Sequence, residues 1–331
     1  MQRHRAGGGA VTRRHFPEIT IARGIIALLV IVGHAFPDGD RFMADSAARF
    51  IHDFIYSFHM GAFIFIAGFV AAPKLLEGCD LRRALRSRFL RLMVPYLCWT
   101  AVLLVLKQPF GSLARAQFSP RQFWQLLIGA KYLGWLWYLW TLFFISALFL
   151  LLFHRLHDPR RGLLLGLILY LLHPLIPDSP LARVGQYAIF YGLGIWVRAR
   201  WDGLPGWIDR PIIPLCGLLL CIGGALLPIP YLLTGCAGTI LTLHLARRIA
   251  AKPGRARQHW TELGERSYDI YLLGYYVQTP LRVVLDALLH VPYWPQVLLC
   301  AALGLLIPLL LSRCLASRMG WFRRAFLGHA E

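Results

Sequence analysis

The sequence predicts an all-α, polytopic membrane helical bundle of about ten transmembrane helices, with both termini cytoplasmic. Three observations carry this expectation. The chain has 331 residues, of which 57% are hydrophobic and 15% charged, whereas soluble domains are roughly a quarter charged and just under half apolar. The apolar residues come in long blocks separated by short basic loops, none long enough to fold alone. Lysine and arginine are distributed unevenly over alternate loops, 26 on one side and 8 on the other, with Arg23 inside a block. Such an excess marks the cytoplasmic face. It also accounts for the net charge of +19 without nucleic acid as a partner, because the basic residues cluster at the ends of apolar blocks.

Taken in order, spans are expected at 18–36, 54–72, 90–107, 133–153, 162–177, 184–198, 211–228, 230–246, 267–286 and 294–312. Each approaches the length that crosses a hydrocarbon core, about 20 apolar residues. The fifth is short, and the seventh and eighth are joined only by Pro228-Ile229-Pro230. A half-buried helix is also expected over 121–129, started by Ser119-Pro120. The organisation is then a basic cytoplasmic tail (1–17), one transmembrane domain (18–313) and a basic cytoplasmic C-terminal tail (314–331). Arg3, His4, Arg5, Arg13 and Arg14 of the first tail suit anionic headgroups of the lipid bilayer. The first block is read as a retained span and not a cleaved leader, because it is long for a leader and carries Arg23 and His34. Seven scattered cysteines form neither a Cys-x-x-Cys nor a Cys/His cluster at zinc spacing, so neither a disulfide framework nor a metal is expected.

Chemistry-bearing residues start in the first span. Arg23 and His34 stand eleven residues apart in it. Eleven helical steps return to within about 20° of the start and rise about 16 Å, so the two share a face. Ionisable groups at membrane depth are rare and border cavities or partners. His34 suits a general base. Arg23 either stabilises an anion in a dry cavity or snorkels to headgroups; position alone leaves both open. In the second span His59 is expected at the level of His34, as part of a site for a hydroxylated substrate or as a buried histidine satisfied by a neighbour. Gly61 and Gly68, two turns apart, read as close helix packing.

The loop into the third span is dense in arginine: Arg82, Arg83, Arg86, Arg88 and Arg91. Arg88 and Arg91 are neighbours on a helix face, and guanidinium forks match phosphate oxygens. The segment is a phosphate site or a topology anchor. The fourth span opens Trp135-Leu-Trp137-Tyr138-Leu-Trp140, which reads first as an aromatic interface belt. The ninth opens Arg266-Ser267-Tyr268-Asp269, where Asp269 is expected to pair with Arg266 or an arginine of the second cytoplasmic loop.

Together these pieces resemble the family-3 membrane acyltransferases, the O-acyltransferases of bacterial surface polysaccharides. Arg23-Gly24 followed by His34 matches the family's first-span pattern. Phe58-His59-Met60 with Phe63-Ile-Phe65-Ile-Ala-Gly68-Phe69 is similar to its second-span signature, nearest the fucose 4-O-acetylase-like branch. Arg88-x-x-Arg91 with Pro95-Tyr96, Trp137-Tyr138-Leu139 and Ser267-Tyr268-x-x-Tyr271-Leu272 fit later motifs, so the resemblance runs through the chain in order. The chain departs at Thr20, where many relatives carry Asp, and at Gly274, where many carry His. The resemblance implies a multi-pass protein of the inner (cytoplasmic) membrane. It implies transfer of an acyl group, usually acetyl, from cytoplasmic acyl-CoA (acetyl-CoA as cosubstrate) to a hydroxyl of a glycan or lipid-linked sugar. It implies His34 as base or acyl relay, Arg23 and His59 beside it, and Arg86, Arg88 and Arg91 on the donor's phosphates. A transporter or flippase for an anionic or lipid-linked solute uses the same intramembrane residues, though the sequence shows no internal repeat. A non-catalytic polysaccharide-assembly subunit is the third alternative.

Overall fold

The computed structural model describes residues 16–37, 39–107, 134–201, 203–318 and 320–328. The expected helix over 121–129, the basic residues before Phe16 and the 108–133 connection lie outside them. Among the described residues all regular structure is helical. The helices are α1 (Pro17–Ala35), α2 (Asp40–Ala44), α3 (Ser46–Tyr56), α4 (His59–Leu76), α5 (Leu81–Arg88), α6 (Val94–Lys107), α7 (Trp137–Phe153), α8 (Pro159–Leu172), α9 (Pro180–Trp201), α10 (Ile212–Leu226), α11 (Tyr231–Ala251), α12 (Arg255–Glu265), α13 (Ser267–Val283), α14 (Tyr293–Arg318) and α15 (Gly320–Leu327). A helix stands at each of the ten expected positions. Among the described residues, four stretches are long and apolar enough to cross a membrane: Pro17–Ala35, Ser46–Leu76, Gly134–Phe153 and Tyr293–Cys314. The protein is an all-α polytopic membrane protein.

The first helix is enclosed. Pro17 at its first position has no N–H to leave unpaired, and α3, α4, α11, α12, α13 and α14 all pack around it. Peripheral helices carry the apolar surface instead. Leu164, Leu167 and Leu171 of α8, Ile212 and Leu219 of α10, and Leu298 and Leu310 of α14 are exposed, as side chains against lipid tails would be. The interior is aromatic, with Tyr96, Phe69, Phe149, Phe190 and Tyr191 fully buried. Small residues bring helices together there: Gly68 of α4 lies directly on the carbonyl of Tyr191 in α9.

Three local features depart from the sequence reading. The second span begins earlier than residue 54, at Ser46, where Asp45 accepts the Ala48 N–H at 2.9 Å as an N-cap. It is then interrupted at Ser57-Phe58. The Ser57 carbonyl accepts from Thr234 Oγ1 of α11 at 2.8 Å, and the Phe58 ring wedges onto Gly238 of the same helix. His59 consequently opens α4. In the 247–266 connection, expected to be a loop, a charged sequence forms α12 and lays Trp260, Leu263 and Gly264 against α1. Finally, the segment after residue 313 is helical: α14 runs on to Arg318, and α15 packs on α6.

Candidate active site

Two polar clusters form at the two ends of α1. At the end nearer Pro17, Arg23 projects between helices. Its Nε is buried with no hydrogen-bond partner among the described residues. The charges of Arg91 and Glu265 act on it, and Tyr138 of α7 stands alongside. Tyr138 in turn lies in the field of Arg91, Arg23 and Arg88, and Arg88 also acts on Tyr191 of α9. Arginines from α1, α5 and the π-helical turn Phe89–Met93 therefore converge around one buried tyrosine. Arg86 is exposed on α5 and is not among the charges reaching Arg23 or Tyr138. Thr20 offers Arg23 no carboxylate, and Glu265 of α12 is the acidic group whose charge reaches it.

At the other end three histidines gather around Tyr56. His34 meets the Tyr56 ring edge-on at 6.2 Å between centroids, with the Tyr56 hydroxyl 3.4 Å from its Nδ1. His59 lies 4.9 Å from Tyr56 and His52 stacks on it at 4.0 Å. His59 is buried, and its Nδ1 lies 2.8 Å from the Ile55 carbonyl. A carbonyl only accepts, so Nδ1 holds the proton and Nε2 presents the lone pair. His52 follows the same logic against the Asp53 carboxylate, 2.9 Å away. The backbone at His34 is held by Arg282 of α13, whose guanidinium donates to the carbonyls of His34 and Phe36 at 3.3 Å each. A cation at the last turn also suits the negative end of α1.

Aromatic rings join the two clusters. Tyr138 contacts Tyr271 at 5.4 Å, Tyr271 contacts Trp135 at 5.9 Å, and Trp135 stacks on Tyr275 at 4.9 Å. Tyr275 then meets His34 at 6.2 Å. The Tyr271 hydroxyl donates to the Trp135 carbonyl. Trp135 Nε1 is buried without an acceptor among the described residues. Trp135, Tyr138 and Trp140 thus belong to the interior and not to an interface belt. Gly274, the position at which the family resemblance leads one to look for His, is pressed against Ile31 of α1, so an apolar contact occupies that position.

Asp269 belongs to a structural network. Ser312 Oγ donates to it at 2.6 Å and accepts from Arg266 at 2.9 Å, so the expected Asp269–Arg266 pairing runs through a serine of α14. Glu262 continues the network, accepting from Arg313 Nε and Nη2 at 2.7 Å each. Those bonds hold its carboxyl below the usual carboxylate range.

The expected set is Arg23, His34, His59, Arg86, Arg88 and Arg91; the structure adds His52, Tyr56, Tyr275 and Arg282 around His34. A signal was present. His52, Tyr56 and His59 recur at helical spacing, and Gly274, Gln278 and Arg282 recur every four residues along the ninth span. That second stripe faces α1, where Gln278 Nε2 donates to the Ile31 carbonyl at 2.8 Å.

A family model described as "Acyltransferase domain" matches residues 16–313. No curated protein and no solved structure matches the chain.

Proposed function

The chain belongs to this family-3 acyltransferase family, and from that premise we propose that it is an integral-membrane O-acyltransferase of the inner membrane. It moves an acyl group, in the first instance acetyl, from cytoplasmic acyl-CoA to a sugar hydroxyl of an exported or lipid-linked polysaccharide, as in the fucose 4-O-acetylase-like branch. The proposal includes ten spans within 18–313 and both termini in the cytoplasm. This orientation puts the Arg23 cluster on the donor side and the histidines on the acceptor side.

One observation supports the reading above the rest. An enclosed helix carries a cationic cluster at one end and imidazoles at the other, with a continuous run of rings between them. Buried donors without an acceptor among the described residues, Arg23 Nε and Trp135 Nε1, border that run. In a water-poor interior an unmet donor costs about 1–3 kcal/mol. A passage that admits a thioester arm rich in amide carbonyls offers both of them acceptors. The nucleotide's phosphates stay with Arg88 and Arg91, outside the hydrocarbon, where bidentate guanidinium contacts suit them.

In the reaction, His34 takes the proton of the acceptor hydroxyl as its oxygen attacks the thioester carbonyl. The new C–O bond forms, the C–S bond breaks, and the proton leaves with the coenzyme A thiol. In the relay variant, His34 first carries the acyl group on a ring nitrogen and then yields it to the hydroxyl. Arg23 stabilises negative charge along the path. His59 orients His34 or the acceptor. The transporter alternative fits the same polar residues but gives no reason for an acyltransferase-family sequence over 16–313.

The test is reconstitution of the purified protein with acetyl-CoA and a polysaccharide acceptor. The wild type consumes thioester and forms an ester. His34→Ala remains folded in the membrane and forms none; ester formation at the wild-type rate removes His34 from the mechanism.

A further inference from the structure

Arg91 sits in a turn that its own sequence should destabilise. Pro95 follows four residues later and has no N–H, so the Arg91 carbonyl loses its ordinary helical partner and the proline ring crowds it. The turn answers by widening: Phe89–Met93 is π-helical, with the Val94 N–H reaching back to the Phe89 carbonyl. The abandoned Arg91 carbonyl is met from outside. Tyr268 of α13 donates its hydroxyl to it at 2.6 Å. The Arg91 guanidinium lies over the same tyrosine ring, 5.9 Å from its centroid. From the other side the residue that follows α15 closes on this spot. Gly328, at φ +60°, packs against the Arg91 carbonyl, with Pro95 Cγ 3.1 Å from where a Cβ would stand. The preceding turn is tied down by Trp99 Nε1, which donates to the Phe326 carbonyl at 2.9 Å.

We propose that Tyr268 and the C-terminal helix α15 are positioning elements for Arg91, holding the proline-widened turn so that its guanidinium meets the phosphates of the acyl donor. This rests on the donor-side reading of Arg91 given above. A clamp on one backbone carbonyl acts on the charged end of the donor and not on its thioester. Its loss therefore separates donors that carry phosphates from a donor that does not.

The experiment measures kcat and apparent KM of the full-length protein in nanodiscs with two donors. One is acetyl-CoA; the other is S-acetyl-pantetheine, which presents the same thioester without nucleotide or pyrophosphate. Tyr268→Phe keeps the ring and removes the hydrogen bond. It is expected to raise the KM for acetyl-CoA about three- to tenfold, the range that one lost hydrogen bond commands, with kcat and the KM for S-acetyl-pantetheine unchanged. Gly328→Val, which acts on the same carbonyl from the opposite side, is expected to give the same split. Arg91→Ala calibrates the reading beneath: it should raise the acetyl-CoA KM at least as much, and Tyr268→Phe should then add nothing in the Arg91→Ala background. An effect of Arg91→Ala with none of Tyr268→Phe or Gly328→Val overturns the clamp alone. Equal losses with both donors overturn it too, by reducing Tyr268 to general packing. A flat response to Arg91→Ala removes the donor-phosphate reading and the clamp with it.

Discussion

The Gly24→Ala substitution tests the way α12 is seated on the first helix. A Cβ at residue 24 would stand 2.8 Å from the Trp260 carbonyl oxygen and 2.9 Å from the Gly264 nitrogen, whereas ordinary contact begins at 3.4 Å. The shortfall of about 0.6 Å on the closer atom cannot be relieved by a rotamer change, because both atoms belong to backbone. Helix α12 must move as a body, and overpacking of this kind costs about 1–3 kcal/mol. Alanine in place of glycine inside a helix opposes this with about 0.5–1 kcal/mol of stabilisation. The net expectation is a loss centred on about 1 kcal/mol and reaching about 2.5 kcal/mol, or a fall of roughly 1–4 °C in thermal midpoint for a chain of 331 residues. Gly264→Ala should fall further, since its Cβ would overlap the Thr20 carbonyl. The assay is thermal unfolding of the variants in nanodiscs by tryptophan fluorescence. If Gly24→Ala melts at or above the wild-type temperature, helix propensity has won and α12 does not lie on α1. The stake is functional as well, because α12 carries Glu265, whose charge reaches Arg23.

Two further outcomes are expected. Arg282→Gln frees the carbonyls of His34 and Phe36; kcat for acyl transfer should drop at least about tenfold, since small misplacements of reacting groups are costly, and an unchanged kcat would show that His34 does not depend on this brace. Glu262, depressed by its hydrogen bonds to Arg313, contributes stability that is full above the ordinary carboxylate value near 4.5 and is lost as pH falls through its lower folded value. The pair is partly exposed, so the contribution is below about 1 kcal/mol, and melting curves from pH 7 to pH 3 should show Glu262→Gln with a shallower acid loss than wild type; identical slopes would discount the tie between α12 and α14.

Much of the fold was legible because apolar block length is a strong signal in a membrane protein. The enclosure of α1 was readable for a specific reason: two ionisable residues on one face of an apolar helix cannot both meet lipid. What stayed hidden depends on tertiary fit. The interruption at Ser57-Phe58 comes from a ring pressed onto Gly238 far along the chain, and nothing local announces it. Helix α12 shows only Trp260 and Leu263 as large apolar residues among charged and polar ones, too little apolar periodicity to mark a packed element. Thr20 gives no hint that the acidic group whose charge reaches Arg23 is Glu265 of α12, far along the chain. In the candidate site the reading found groups of unusual cost, an arginine and histidines at membrane depth. It missed Tyr56, Tyr275 and Trp135 because aromatic residues are ordinary there, and only their mutual distances distinguish them.

On the proposed ten-span reading, the two short helices α8 and α10, whose exposed faces are apolar, would act on the membrane itself. Helices α8 and α10 have 14 and 15 residues, which amounts to roughly 21 Å and 22 Å of axial rise. A hydrocarbon layer is about 30 Å thick. On the ten-span reading, lipids along this flank must shorten to match, pinching the leaflets toward each other beside the protein. An acceptor anchored in that annulus would find its headgroup drawn closer to the opposite surface than anywhere else in the sheet.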